Sequence, residues 1–203
     1  MRLKQAMEAD WSAEIGAGLP EIHAPWEGFV DLRRNPAALQ AISEATSFPA
    51  LARALAIMNS DQSAVFSTKS DVWSMESDEI DRYEFDALAA DARFGVSSYI
   101  DVLERSNENL ISYDFHERRA KQVTGVLRAA PMRNGRVDLV IRAAIVDSRE
   151  GFGITLYAAG CGSDAASALA SWESVLIATV LATMKAVGPS PPPAHPRASS
   201  SIG

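Results

Sequence analysis

The segment from Arg136 to Asp147 alternates between apolar and polar residues, and this period of two constrains the fold more than any other feature. Val137 and Ile141 fall on the same side of such a strand. A turn is expected at 148–151, and the alternation resumes over 152–158. Two alternating runs joined by a short turn predict an antiparallel β-hairpin with one apolar face.

The other elements follow from composition and spacing. Residues 64–75 are rich in β-forming side chains and hold one long strand or a hairpin, and residues 94–104 alternate as a strand does. Helical spacing predicts helices over 35–45, 50–58, 112–130 and 165–186. The order is α-β(β)-β-α-β-β-α, with no strand–helix–strand crossover. We therefore predict an α+β fold, in which an antiparallel sheet of four to five strands carries helices packed on one face.

The positions of proline and glycine residues divide the chain into three parts. Residues 1–34 are predicted to be an irregular N-terminal arm with a short helix near 3–15. Residues 35–187 form a single domain. Residues 188–203 hold half of the ten prolines and a serine run, and this composition is typical of a disordered tail.

The net charge and the composition of the first residues limit the partners and the location that we expect. The formal net charge of −7 repels phosphate backbones, so nucleic acid is not expected as a partner. The first residues have no apolar leader segment, which favours a cytoplasmic location. Glu173 interrupts the apolar run over 165–187, so we interpret this run as a core helix and expect no membrane partner. Cys161 is the only cysteine, which rules out an internal disulfide.

Motifs for cofactors and metals are missing from the sequence. There is no dinucleotide-binding glycine loop, no phosphate loop and no nucleophile elbow. The acidic stretch over 76–91 lacks the spacing and the glycine of a calcium loop, and the three histidines are dispersed. Neither a cofactor nor a metal is expected.

The strongest candidate site comes from the polar side of the predicted strands. If the apolar side packs on the helices, acids, bases and aromatic residues share the opposite face. A small polar molecule, a peptide or a second subunit would suit such a face, and salt-paired side chains in solvent are the alternative interpretation. The candidate binding residues are Lys69, Asp71, Trp73, Tyr99, Asp101, Asp138, Arg142 and Tyr157.

The order of elements over 36–186 is similar to that of the small acidic dimeric chaperones of type III secretion, provided that 64–75 holds two strands. This resemblance implies a homodimer that clamps an extended segment of another protein.

We therefore expect a homodimeric binding or regulatory module that holds a protein or a small molecule on the polar sheet face. The alternative is a small enzyme acting on a polar metabolite, with acid–base and anchoring groups on the same face. The enzyme requires these groups to converge in one concave pocket and to have shifted pKa values.

Overall fold

The computed structural model describes residues 7–186, and its centre is a six-stranded mixed sheet. Across the sheet the order is β1-β5-β6-β4-β3, and β2 pairs with β5 beyond the end of β1. The predicted tail over 188–203 lies outside the described residues. The strands are β1 (Glu8–Glu14), β2 (Ile22–Ala24), β3 (Val65–Met75), β4 (Phe94–Glu104), β5 (Gly135–Val146) and β6 (Arg149–Gly162).

The sheet is mixed, and the expectation of a purely antiparallel sheet is wrong. The pairs β3–β4, β4–β6 and β5–β6 are antiparallel, as predicted, whereas β1 and β2 run parallel to β5. Since β4 and β5 are both antiparallel to β6, they are parallel to each other and are joined by a helical crossover. The crossover was missed because β6, which follows in sequence, lies between the two strands in space.

The N-terminal arm contributes strands, and the short helix expected near 3–15 is wrong. Ala9 and Trp11 lie on the helix side of β1, where Ala9 is buried and Trp11 packs against the core. Asp10, the one residue between them, is exposed. The predicted arm therefore extends the same sheet as the region over 35–187.

Strand β3 is a single strand of 11 residues with a bulge between Ser67 and Ser70. The resemblance to the type III secretion chaperones required two strands here, so that order of elements is not met. The bulge lets one long strand follow the twist of β4 without a turn.

The helices begin and end close to their predicted bounds, except near residue 42. There the expected helix over 35–45 divides into a 3-10 helix over Pro36–Ala41 and the short helix α1. Two further short elements, α3 and a 3-10 helix over Ser77–Glu79, lie in connections. The α-helices are α1 (Ser43–Ser47), α2 (Pro49–Asn59), α3 (Asn107–Leu110), α4 (Tyr113–Arg128) and α5 (Ala165–Lys185).

The long helices α2, α4 and α5 pack on one face of the sheet and enclose the main core. Ile100, Leu139 and Leu156 point from three neighbouring strands into this core. Helix α5 is long and apolar enough to cross a membrane by length and composition, and in this fold its Trp172 is buried in the core.

Loops cover the two ends of the opposite face. At one end, residues 15–34, here the crossing segment, include β2 beside β5 and continue to the edge strand β3. They close a small apolar cluster around Phe66 and Leu103. At the other end, residues 76–93, here the acidic loop, bury Phe85 against Cys161. Burial raises the pKa of the Cys161 thiol to about 11, so the thiol stays protonated and inert at neutral pH. Only the middle of this face is left open.

Candidate functional site

Four of the predicted site residues form one row across the middle of the polar face. Register places Asp71 opposite Tyr99, Tyr99 opposite Tyr157, and Tyr157 opposite Asp138. The rings of Tyr99 and Tyr157 are 6.1 Å apart between centroids, and Trp73 lies 6.4 Å from Tyr99. The predicted two-sidedness of the strands is confirmed, and the aromatic residues form a continuous strip.

The crossing segment turns part of this face into a concavity. Residues 20–23 and Trp26 of that segment, together with part of the strip, line a cavity of about 380 Å³, here the central cavity. Pockets that bind small molecules start at roughly 300 Å³, so the central cavity is large enough for one. Of the eight predicted residues, five line it, and these are Lys69, Tyr99, Asp101, Arg142 and Tyr157.

Arg142 is the most buried charged residue of the cavity, with an exposed fraction of 7 %. Its Nη2 lies 3.0 Å from Oε2 of Glu14 on β1 and donates to the Tyr157 hydroxyl at 3.3 Å. Nη1 is buried and has no hydrogen-bond partner among residues 7–186. Leaving a buried donor unsatisfied costs about 1–3 kcal/mol. This guanidinium therefore lines the cavity and has one nitrogen without an acceptor in the described part of the chain.

Asp101 lies beside Arg142 with a raised proton affinity. Burial raises the pKa of its carboxyl, while a hydrogen bond from Thr155 and the charges of Arg142 and Lys69 oppose the shift. The Thr155 hydroxyl donates to Oδ1 at 2.6 Å. Raised carboxyl pKa values in a cleft are typical of acid–base groups and of ligand-binding groups.

The hydroxyl of Tyr99 stays protonated next to this carboxyl. Burial and the charge of Asp101 raise its pKa to about 12. At neutral pH Tyr99 therefore contributes a neutral O–H group that can donate to a ligand or accept from one.

Replacing Asp101→Asn is expected to stabilise the protein at pH 7. Because the folded state raises the pKa of Asp101, ionisation of this group lowers stability as pH rises above its ordinary value of 3.8 and through the raised value. The amide carries no charge, so the variant should gain roughly 0.5–2 kcal/mol at pH 7, as substitutions at strained functional sites do. Urea denaturation from pH 3 to pH 8 measures the difference, which should shrink toward pH 3. Equal stability at every pH would contradict it.

Three predicted residues lie outside the central cavity. Trp73 is 38 % exposed, and Asp71 accepts a hydrogen bond only from the backbone N–H of Val72 among the contacts described. Asp138 pairs with Arg136, whose Nε donates to it at 2.6 Å. Since Arg136 also pairs with Glu84 of the acidic loop, Asp138 belongs to a salt-bridge network. For Asp138 the interpretation as a salt-paired surface residue is the better one.

The crossing segment and β1 supply cavity residues that the sequence analysis did not identify. Glu21, His23 and Trp26 line the cavity, and Glu14 neutralises Arg142 from its edge. A signal for β1 was present, since polar and apolar residues alternate over Glu8–Glu14. No sequence feature places the crossing segment over the face.

Within the described residues 7–186, no group of three or more His, Cys, Asp or Glu side chains is arranged to hold a metal ion. His116 is buried, its Nδ1 lies 2.9 Å from the carbonyl oxygen of Ser112, and burial lowers its pKa. A structural role for this histidine follows.

Comparison with known proteins identifies no relative. No protein-family profile matches the chain, and no curated protein or solved structure is significantly similar to it. Function therefore has to be argued from the geometry of the central cavity.

Proposed function

We propose that this chain is a binding module that holds a small polar molecule in the central cavity. The observation that carries the proposal is Arg142, a buried guanidinium at the cavity wall with one nitrogen that has no acceptor among residues 7–186. Carboxylate, ammonium, hydroxyl and aromatic groups line the same cavity. Binding sites for small molecules combine an aromatic lining with a few polar groups in this way.

A small molecule suits the cavity better than an extended protein segment. A peptide that binds on the face of a sheet lies along an uncovered groove. Here the crossing segment and the acidic loop cover both ends of the polar face. The opening that remains has the dimensions of a single compact ligand.

An enzyme acting on a polar metabolite is the second candidate function. It is favoured by Asp101, whose pKa is raised by burial and whose carboxyl shares the cavity with Arg142 and Tyr157. In such an enzyme Asp101 would transfer a proton and Arg142 would anchor the substrate. The two functions separate on turnover. An enzyme would convert a polar metabolite and lose this activity in Asp101→Asn, whereas a binding module would release its ligand unchanged.

The binding proposal predicts that ligands depend on the aromatic strip. A library of polar fragments is screened against the whole chain by ligand-observed NMR, and the affinities of the hits are measured by calorimetry. Tyr157→Ala removes one wall of the cavity and should weaken the hits at least about tenfold, because an aromatic contact together with its buried area contributes more than 1.4 kcal/mol.

Tyr83→Ala is the matched control, because Tyr83 is 73 % exposed and lies outside the central cavity. The control should bind the hits as the unaltered chain does, and circular dichroism verifies that both variants fold. A screen without hits, or hits that bind Tyr157→Ala undiminished, would refute the proposal.

The homodimer, the regulatory role and the cytoplasmic location stay predictions, as does the expectation that nucleic acid and membranes are not partners. A dimer is compatible with an open cavity because β3 is an edge strand of the sheet. The second half of strand β3, around Trp73, does not line the cavity. A second copy of the chain can pair with this part of the edge strand to strand.

A further inference from the structure

We propose that the molecule held in the central cavity is a zwitterion, with a carboxylate at Arg142 and an ammonium group at Asp101 and Glu21. This inference rests on the proposed function and adds the chemical class of the ligand to it. Three properties of the cavity support it: an unsatisfied donor, an acidic wall and a balanced charge.

The carboxylate end is set by Arg142. Nη2 contacts Glu14 and the Tyr157 hydroxyl, and Nη1 is buried without an acceptor among residues 7–186. A carboxylate brings an opposite charge to a hydrogen bond from the guanidinium, which a neutral carbonyl does not. Lys69 also lines the cavity and adds a second positive charge to it.

The ammonium end is set by the two carboxylates of the cavity. Asp101 has one described hydrogen bond, the donation from Thr155 to Oδ1, and a carboxylate has room for several more. Glu21 lies on the crossing segment, 44 % exposed in its side chain, where it reaches His23 at 3.2 Å. An ammonium group has three donors and can satisfy both acids at once.

The charge of the lining excludes ligands with a large net charge. Lys69 and Arg142 are balanced by Asp101 and Glu21, so the lining as a whole is neutral. Glu14 behind Arg142 and the overall charge of −7 add a negative background. A phosphate dianion would be repelled by that background, whereas a zwitterion brings no net charge into it.

The rest of the cavity suits an apolar or aromatic ligand body. Trp26, Tyr99 and Tyr157 line it, and the indole N–H of Trp26 is already donated to the carbonyl oxygen of Thr68 at 3.2 Å. These rings therefore offer mainly their apolar surfaces. The volume of about 380 Å³ equals that of roughly a dozen water molecules, which is enough for an amino acid with an aromatic side chain.

Four probes that share one phenyl group test the charge pattern on the whole chain. They are L-phenylalanine, 2-phenylethylamine, 3-phenylpropionate and 3-phenylpropan-1-ol, and calorimetry at pH 7 measures their affinities. L-phenylalanine should bind at least about tenfold more tightly than each of the other three, because each charge-assisted hydrogen bond adds that factor or more. If any of the three binds as tightly as L-phenylalanine, the zwitterion proposal is wrong.

Variants assign each charge to its partner. Arg142→Gln should lower the affinity for L-phenylalanine about tenfold and leave that for 2-phenylethylamine unchanged, whereas Glu21→Gln should weaken both. The control Arg136→Gln removes an arginine from the same strand and face outside the cavity, and should change neither. Glu21 is on the surface, so Glu21→Gln tests the ammonium end even if Arg142→Gln does not fold. If a folded Glu21→Gln variant binds both ligands with unchanged affinity, the assignment of the ammonium group to Glu21 is wrong.

The two proposals fail in different ways. If none of the four probes binds while fragments from the screen still require Tyr157, the ligand is not a zwitterion and the cavity remains a binding site. If neither probes nor fragments bind, both proposals are wrong.

Discussion

Trp172→Ala is expected to lower the free energy of unfolding by about 3–5 kcal/mol, the range for truncating a buried tryptophan. Trp172 is 0 % exposed at the centre of α5. Its indole N–H donates to the Ser98 hydroxyl at 2.8 Å, and its ring meets that of Phe48 edge to face at 5.6 Å. The substitution therefore opens a large cavity and leaves a polar hydroxyl of β4 with one hydrogen bond fewer.

The surrounding backbone has little freedom to collapse into this space. A side chain built on Gly160 of β6 would touch the backbone nitrogen of Trp172 at 2.2 Å, so strand and helix are already in close contact. Urea denaturation monitored by circular dichroism measures the loss. Trp73→Ala is the matched control, since Trp73 is 38 % exposed and should cost about 1 kcal/mol or less. Equal losses for both variants would show that Trp172 is not a core residue.

Arg119→Met is expected to destabilise the protein by about 3–5 kcal/mol at pH 7, because it leaves a buried carboxylate without its counter-ion. Arg119 on α4 and Glu104 at the end of β4 form an ion pair with exposed fractions of 3 % and 4 %. Burial raises the pKa of Glu104, and the charge of Arg119 opposes that shift. Without the arginine, the hydrogen bond from Asn109 remains to oppose the cost of burying the carboxylate.

The loss should depend on pH in a defined direction. A raised pKa in the folded state means that ionised Glu104 costs stability as pH rises above its ordinary value of 4.5, and this cost is greatest without Arg119. Arg119→Met should therefore recover toward the stability of the unaltered chain between pH 7 and pH 4. The double variant with Glu104→Gln should recover most of the loss at pH 7.

Lys121→Met is the control for Arg119→Met. Lys121 pairs with Glu117 on the surface of the same helix, with 54 % of its side chain exposed. Its removal should cost less than about 1 kcal/mol, and denaturation in urea at pH 7 and pH 4 compares all three variants. A loss from Arg119→Met that does not diminish at pH 4 would contradict the assignment to Glu104.

The sequence is most informative where structure is local. The hairpin of β5 and β6 and the bounds of β4 and α5 follow from periodicity and turn chemistry, and each agrees with the structure to within a few residues. The two-sidedness of the strands follows as well. A period of two places Asp101 and Arg142 on one face of the sheet and Ile100 and Ile141 on the other face. From this period alone all eight candidate residues could be placed on one face of the sheet, and five of them line the central cavity.

The rest depends on contacts between distant parts of the chain. Strand β1 has only seven residues, so its alternation is weak, and its parallel partner β5 lies far away in sequence. The crossing segment is rich in glycine and proline and has no period that predicts its path. Glu21 and Trp26 were missed for this reason. The helix over 35–45 failed at Ile42, whose extended backbone ends one helix and begins the next.

The pairing of β1 with β5 also sets the order in which the molecule assembles during synthesis. Glu8 pairs with Arg136, roughly 130 residues later, and contacts of such separation close late and slowly. Strand β1 therefore cannot pair until β5 has been synthesised and most of the chain has emerged from the ribosome. Because Glu14 and the crossing segment follow β1 into place, the pocket is completed among the last events of folding.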